Sequence, residues 1–240
     1  MTEVLRPYQS QVIADFWRAV ETGPFRIIIV APTASGKTVI ARTIIKEARK
    51  QASGSLFLAH RREIISQTSN KLRGIPHGII RPGDEPRPLE LVQVASIQTL
   101  HRRAIKGDRM ALPEAKLVIV DEAHHVIART YQEIINQYPD AILLGLTATP
   151  CRGDGRGLGN IFQTMLQCPQ VGELVAQGHL VPTKVLPPST PISTASISAT
   201  ATMSKASLPS GWTPRSWLAT SLSTGFDWEN AGEPLYSRPG

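Results

Sequence analysis

Cysteine is scarce in this sequence, and the features that mark secreted or membrane proteins are missing. The chain has 2 cysteines among 240 residues. Cys151 and Cys168 form no CxxC pair and have no histidine cluster at metal-ligand spacing, so we expect neither a disulfide nor a metal role for them. No stretch approaches the roughly 20 apolar residues that span a bilayer, and MTEVLRPYQS lacks the apolar run of a signal peptide. These absences favour a soluble, cytoplasmic protein.

The charge of the chain is unevenly distributed. The formal net charge is +7 and the sequence pI is about 9.7. From residue 187 onward basic and acidic residues balance, so the whole excess lies in the first part of the chain. A basic balance suits a polyanionic partner such as nucleic acid, although many basic proteins bind none.

Residues 1 to about 186 alternate between short apolar runs and helical patterns. Continuous runs such as IIIV and LVIV are typical of strands buried on both faces of a parallel sheet. Strands alternating with helices predict a doubly wound α/β domain, in which ligands bind beyond the carboxyl ends of the strands. The predicted strands are Phe25–Ala31, Ser55–Ala59, Leu91–Ala95, Leu117–Asp121 and Ala141–Thr147. The predicted helices are Gln9–Val20, Lys37–Gln51, Arg62–Leu72, Ile97–Ile105 and Tyr131–Gln137.

Residues 187–240 differ in composition from the rest. Roughly half of them are serine, threonine or proline, and no periodicity of helix or strand persists. We therefore expect a low-complexity, disordered tail after the α/β domain.

The segment APTASGKT, Ala31 to Thr38, has the form of a phosphate-binding loop between a strand and a helix. Backbone N–H groups of such a turn and the dipole of the helix that follows attract phosphate. Lys37 is expected to reach the β- and γ-phosphates of a nucleotide, and the Thr38 hydroxyl to bind Mg²⁺. The remaining contacts with the phosphates are assigned to the loop residues Pro32, Thr33, Ala34, Ser35 and Gly36.

This loop departs from the strict pattern at two positions. Ala31 stands where the pattern has glycine, and Ala34 occupies a place that often holds glycine. Alanine can serve there if its local φ is negative, so this departure bears on the affinity of the loop for a nucleotide and not on its identity. A Gly-Lys-Thr that merely caps a helix is the alternative interpretation.

The segment LVIVDEAH sets two carboxylates at the end of a buried strand. Buried charges need partners, and Mg²⁺ is a suitable one. Asp121 is expected to hold the metal ion, and Glu122 to polarise a water that attacks the γ-phosphate. Two acids at a solvated strand end are the alternative, which the upstream phosphate loop disfavours.

The motifs APTASGKT, DEAH and TATP, in this order, resemble motifs I, II and III of superfamily 2 DEAD/DEAH-box helicases. The likeness is strongest to the type III restriction subunit/UvrB group, in particular its RadD-like members, and covers residues 5 to about 186. It implies a RecA-like P-loop NTPase domain that uses ATP and Mg²⁺ and acts on DNA rather than RNA.

LRPYQ resembles the adenine-recognition motif, so Gln9, with Arg6 nearby, is implied to read the base. The resemblance also implies that three residues couple the nucleotide to the nucleic acid: His124, Thr147 and Thr149.

Two further segments resemble nucleic-acid-contacting motifs of these helicases. They are FLAHRREI at Phe57–Ile64 and VASIQTL at Val94–Leu100. Arginine, amide and hydroxyl groups at helix starts contact backbone phosphates without reading bases, as a translocating motor requires. The expected contacts are Arg61, Arg62, Gln98 and Thr99. A solvated helix start is the alternative for the two arginines, and Arg152 and Arg156 in CRGDGRGLG receive no role.

A superfamily 2 motor has a second RecA-like domain, which supplies an arginine finger. Nothing after residue 186 resembles it, so we expect this chain alone to bind ATP weakly and hydrolyse it poorly. The tail from about residue 187 is hypothesised to be an out-of-frame translation. A duplex DNA translocase of restriction type and a non-catalytic nucleotide-binding module remain alternatives to a helicase.

Overall fold

The computed structural model of this chain describes residues 4–23, 25–85, 87–149 and 157–182. Within these residues the fold is a seven-stranded sheet flanked by helices. Cys151, Arg152 and Arg156, the last residue of the TATP motif and the expected tail all lie outside the described residues. The strands are β1 Arg26–Val30, β2 Ser55–Ala59, β3 Gly78–Ile80, β4 Val92–Ser96, β5 Leu117–Asp121, β6 Ile142–Thr147 and β7 Thr164–Gln167. The helices are α1 Pro7–Thr22, α2 Lys37–Lys50, α3 Arg62–Lys71, α4 Ile97–Leu100, α5 Arg129–Ile135 and α6 Val171–Ala176.

The strands lie in the order β3-β4-β2-β5-β6-β1-β7, and every neighbouring pair is parallel. Parallel pairing puts the carboxyl ends of all strands at one edge of the sheet. The register aligns Val30 at the end of β1 with Thr147 at the end of β6. It likewise aligns Ala59 at the end of β2 with Ser96 at the end of β4. The loops that carry the sequence motifs therefore start from this common edge.

The sheet is covered by apolar side chains on both faces, as continuous apolar runs require. One cluster joins α1, α2 and α3 to the sheet through residues such as Phe16, Ile44 and Ile65. The other joins α4 and α5 to the opposite face through residues such as Leu100 and Ile134. Full burial of such side chains contributes about 1.5–3 kcal/mol each. The predicted α/β fold with a parallel sheet is confirmed.

The five predicted strands are present within one residue at each end, but two others were missed. β3 has three residues, and β7 lies at the opposite sheet edge with only half-buried and exposed residues. Neither contains the long buried run from which the other strands were predicted. The predicted helix from Ile97 consists of one α-helical turn followed by a π-helical turn, His101–Ile105. α6 was also missed.

No helix within the described residues is long and apolar enough to cross a membrane.

Gly145 in β6 is a position where the sheet tolerates no side chain. A Cβ atom there would lie 2.6 Å from Cζ of Phe162 and 2.9 Å from Cβ of Ala123. Both neighbours are buried, so neither can move aside easily. We expect Gly145→Ala to lower the free energy of unfolding by about 1–3 kcal/mol, measured by urea denaturation.

Gly172→Ala is the matched control for that substitution. Gly172 lies in α6 with no atom within 4 Å of an added Cβ, so alanine should raise the free energy of unfolding by about 0.5–1 kcal/mol. Equal effects of the two substitutions would contradict the packing described for β6.

Candidate nucleotide and nucleic-acid site

The phosphate loop connects the end of β1 to the start of α2. Ala31 follows β1, and its backbone N–H donates to the carbonyl oxygen of Thr147 at 2.9 Å. The loop turns at Ser35, whose N–H and hydroxyl both donate to the carbonyl oxygen three residues earlier. α2 begins at Lys37, directly after Gly36 in a left-handed conformation with φ +89°. The first N–H groups of a helix have no partner within it, so this turn offers donors and positive potential to an anion.

Ala34 adopts a conformation that alanine seldom takes. Its φ is +65°, so the negative φ under which alanine would serve easily at this position is not adopted. A left-handed conformation costs a residue with a Cβ roughly 1–2 kcal/mol. Thr33 and Ala34 form the exposed tip of the loop, whereas Ser35 beside them is fully buried. The buried base of the loop therefore holds its tip in this conformation.

Lys37 extends back over the phosphate loop. Its Nζ donates to the carbonyl oxygen of Ala31 at 3.2 Å and lies 3.5 Å from that of Pro32. The positive charge of Lys37 lowers the pKa of Asp121, at the end of β5. The ammonium group and the carboxylate are therefore within electrostatic reach of each other across β6. Thr38, the next residue of α2, is half-buried in the first turn.

Side chains of the LRPYQ segment connect the start of α1 to the phosphate loop by hydrogen bonds. Gln9 is 4% exposed, and its Nε2 donates to the carbonyl oxygen of Ser35 at 2.9 Å. Its Oε1 accepts from the backbone N–H of Arg6 at 3.0 Å. The hydroxyl of Tyr8 donates to the same Ser35 oxygen at 2.5 Å and accepts from Arg6 Nη1 at 3.2 Å. Arg6 and Gln9 thus lie beside the loop, with both ends of the Gln9 amide in hydrogen bonds.

The two acidic residues lie at the end of β5 in unlike environments. Burial, followed by the charge of Glu122, raises the pKa of Asp121 to about 6. Lys37 and His124 act in the opposite direction, yet less strongly. Glu122 has a left-handed backbone conformation with φ +51°, which is uncommon for residues other than glycine, asparagine and aspartate. The chain thus turns sharply at the acidic pair.

His124 joins the acidic pair to the end of β6. Its Nδ1 lies 3.3 Å from Glu122 Oε2 and 3.3 Å from Oγ1 of Thr147. Thr147 is fully buried, and its hydroxyl donates to the carbonyl oxygen of Thr149 at 2.8 Å. The N–H of Thr149 donates back to Thr147 Oγ1 at 3.1 Å. The residues predicted to couple the two sites therefore contact one another.

The residues predicted to contact nucleic acid lie at the ends of β2 and β4. Arg61 and Arg62 are exposed at the start of α3. Gln98 is half-buried, and its Nε2 donates to Nδ1 of His60 at 2.7 Å. Thr99 is 6% exposed, so its side chain is not presented at this surface as we expected. The surface therefore consists of the two arginines and the His60–Gln98 pair.

Tyr131 of α5 is a residue near the acidic pair that no sequence motif indicated. It is 3% exposed, and its hydroxyl has no hydrogen-bond partner among the described residues. Burial raises the pKa of Tyr131 to about 12, with smaller contributions from Asp121 and Glu122. Tyrosine in an apolar helix pattern is most often a core residue, and its packing among apolar residues agrees with that.

The site can be compared with the ligands that Mg²⁺ needs from a protein, which are few. Mg²⁺ is usually bound by one or two carboxylates together with phosphates and water. No group of three or more histidine, cysteine or acidic side chains in the described part of the chain could hold a metal ion. The Asp121 carboxylate nevertheless suits a cation. Burial and the charge of Glu122 raise its pKa more than the charge of Lys37 lowers it, so a further positive charge would stabilise the carboxylate. Together with the Thr38 hydroxyl, this carboxylate would supply the few protein ligands that a magnesium-nucleotide site needs.

The strand order and the flanking helices define the class of this domain. The structure aligns with the crystal structure of the helicase domain of Hef from Pyrococcus furiosus with a TM-score of 0.55. The alignment covers 68% of this chain and 38% of that chain at 24% sequence identity. The fold is therefore that of the RecA-like domains of helicases, as predicted.

Residues 2–152 match the family model of the type III restriction enzyme, res subunit. The chain belongs to this family, and the resemblance identified from its motifs is confirmed.

The chain also aligns with parts of two longer curated relatives. It is 33% identical over 181 residues to IRC3 of Saccharomyces cerevisiae, which is designated provisionally as an ATP-dependent helicase. This alignment covers 68% of this chain and 26% of that protein. It is 30% identical over 156 residues to the DNA 3'-5' translocase XPB2 of Sulfurisphaera tokodaii, covering 63% of this chain and 34% of that protein. The chain thus spans about a third or less of each relative.

Asp121→Asn tests the electrostatic state of the acidic pair. Because the pKa of Asp121 is about 6 in the folded chain and 3.8 ordinarily, the folded chain holds the proton to higher pH. The free energy of unfolding therefore falls as the pH rises from about 4 through 6. Without Mg²⁺, Asp121→Asn should remove this loss and stabilise the chain at pH 8 by about 1–3 kcal/mol.

The measurement is urea denaturation of both proteins at pH 4 and pH 8. Asp140→Asn, at an exposed position, is the control and should change little at either pH. Equal stabilities of wild type and Asp121→Asn at pH 8 would contradict the burial of an uncompensated charge.

Proposed function

We propose that residues 5 to about 186 form the ATP-binding and ATP-hydrolysing first motor domain of a DNA-dependent helicase or translocase. One observation carries this proposal: the phosphate loop and the Asp121–Glu122 pair meet at one sheet edge, with Lys37 acting electrostatically on Asp121. Membership of the restriction-subunit family supports it. The similarity to a relative designated provisionally as an ATP-dependent helicase and to a DNA translocase supports it as well.

Each residue of the nucleotide site has a distinct proposed role. Bound MgATP would supply the transferable γ-phosphoryl group and the divalent charge that stabilises it. Lys37 binds phosphate oxygens, while the Thr38 hydroxyl and the Asp121 carboxylate hold the metal ion. Glu122 orients the attacking water and accepts its proton. The backbone of the loop Pro32, Thr33, Ala34, Ser35 and Gly36 surrounds the phosphates.

Arg6 and Gln9 are proposed to contact the adenine base. Both are held against the phosphate loop, since Gln9 bonds to the carbonyl oxygen of Ser35. The position of the base-contacting side chains therefore depends on the conformation of the loop beneath them.

Coupling between the two sites is proposed to start at His124. Its Nδ1 lies within 3.3 Å of both Glu122 and Thr147, so a displaced Glu122 carboxylate would disturb the Thr147–Thr149 pair. The nucleic-acid surface is proposed to be formed by Arg61, Arg62 and Gln98. These groups suit backbone phosphates rather than base edges, which gives contact independent of sequence. The buried Thr99 is not included.

Full activity is proposed to require a second RecA-like domain. An arginine finger contributes on the order of 10³–10⁵ in rate, and the aligned region covers only 26% and 34% of the two relatives. We therefore expect the 240-residue chain to hydrolyse ATP slowly.

We propose that the segment from about residue 187 is an out-of-frame product. The nucleotide sequence of the gene tests this proposal, because helicase motifs should then appear downstream in another frame.

The experiment for the proposed reaction is phosphate release by the full chain with MgATP and single-stranded DNA. Glu122→Gln keeps the shape of the side chain but cannot accept a proton, so it should lower the rate at least a hundredfold while nucleotide binding persists. Arg61→Gln combined with Arg62→Gln should keep the basal rate and abolish stimulation by DNA.

Glu85→Gln, at an exposed position remote from these loops, is the control and should leave the rate unchanged. A Glu122→Gln protein as active as wild type would refute the proposed catalytic role. Stimulation by duplex DNA alone would favour the restriction-type translocase over the helicase, and an absence of nucleotide binding in wild type would favour a non-catalytic module.

A further inference from the structure

Three histidine side chains form a row across the carboxyl edge of the sheet. The ring centroids of His124 and His125 are 4.1 Å apart, and those of His125 and His60 are 5.9 Å apart. His124 and His125 lie in a 3-10 turn that follows β5, whereas His60 follows β2. The two strands are neighbours in the sheet. Their adjacency therefore brings residues distant in sequence into contact.

The two ends of the row lie in the two proposed sites. At one end, His124 is 3.3 Å from both Glu122 and Thr147. At the other end, Nδ1 of His60 accepts from Nε2 of Gln98 at 2.7 Å. Oε1 of Gln98 in turn accepts from the hydroxyl of Ser96 at 3.0 Å. A continuous set of side-chain contacts thus leads from the acidic pair to the end of β4.

His125 is the middle ring of this row, and its position depends on the backbone of Glu122. The N–H of His125 donates to the carbonyl oxygen of Glu122 at 3.0 Å. Glu122 has φ +51°, a sparsely populated conformation that persists only when the surrounding structure holds it. Any relaxation of φ at Glu122 would rotate the turn and move the His125 ring relative to His60.

The pKa of His125 lies below its ordinary value. Desolvation lowers its pKa most, followed by the charges of His124 and His60. Arg61 acts in the same direction, and only Glu122 opposes it. The rings pack in tilted arrangements, with interplanar angles of 48° between His124 and His125 and 35° between His125 and His60.

We propose that His125 is a positioning residue that transmits nucleotide binding from Glu122 to His60 and Gln98. The inference rests on the proposed function, because the row matters only if its ends contact ATP and nucleic acid. A two-site coupling of this kind typically changes affinity 5–150-fold. Loss of the middle ring should abolish the coupling without abolishing either binding site.

The experiment measures the dissociation constant of the full chain for a labelled single-stranded oligonucleotide, with and without a non-hydrolysable MgATP analogue. In wild type the analogue should change this constant at least fivefold. In His125→Ala the change should fall below twofold, while each ligand alone binds within about twofold of wild type. His125→Phe should restore the coupling, since it retains a planar ring.

His77→Ala is the matched control. His77 contacts Ser69 and the carbonyl oxygen of Ile75, away from the row, and its replacement should leave the coupling as in wild type. A second readout follows the imidazole resonances of His60 and His77 when MgADP is added. His60 should shift in wild type and not in His125→Ala, and His77 should shift in neither.

The outcomes separate this inference from the proposed function. If wild type binds no nucleotide or no DNA, the proposed function fails and the inference with it. If wild type binds both ligands but shows no coupling between them, the inference alone is overturned. The same holds if wild type shows coupling and His125→Ala retains it. Unmoved His60 resonances in nucleotide-bound wild type would overturn it as well.

Discussion

The hydrogen bond from Ala31 to the carbonyl oxygen of Thr147 joins the two halves of the candidate site. It extends the parallel register of β1 and β6 by one residue beyond the strands. Through its backbone Thr147 fixes the start of the phosphate loop, and through its hydroxyl it contacts His124 and Thr149. Thr147 has no exposed surface, so it cannot move without repacking of the core around it. The geometry of both proposed sites depends on it.

The site combines several features that are unfavourable to the folded chain. Ala34 and Glu122 have positive φ, and Asp121 carries a pKa raised by burial and by its acidic neighbour. Strain and uncompensated charge of this kind are typical of functional positions, where the surrounding structure maintains them. Here the surrounding structure is a sheet with apolar clusters on both faces. A magnesium nucleotide would relieve the charge at Asp121, which links ligand binding to stability.

The features that could be predicted from the sequence are those with a local signal in it, and the features that depend on tertiary packing could not be predicted. Continuous apolar runs located five strands, and the spacing of the motifs located the family. β3 and β7 were missed because they are short edge strands without a fully buried run. The positive φ of Ala34 has no counterpart in composition or periodicity. The burial of Thr99 follows from packing of α4 against the sheet, which its neighbours in sequence do not reveal.

The row of His60, His124 and His125 shows the same limit more clearly. Its members come from the ends of β2 and β5, and only the strand order makes them neighbours. No role was predicted from the sequence for His60 or His125. Once the strand order is known, both residues lie between the proposed nucleotide and nucleic-acid sites.

The central claim is that the carboxyl edge of this sheet is a magnesium-nucleotide site organised by Lys37. Isothermal titration of MgADP into the full chain tests it most directly, because it measures nucleotide binding separately from hydrolysis. The account predicts one site per chain, an affinity that falls when Mg²⁺ is chelated, and loss of at least tenfold in Lys37→Ala. No heat of binding in wild type, or equal affinities of wild type and Lys37→Ala, would contradict it.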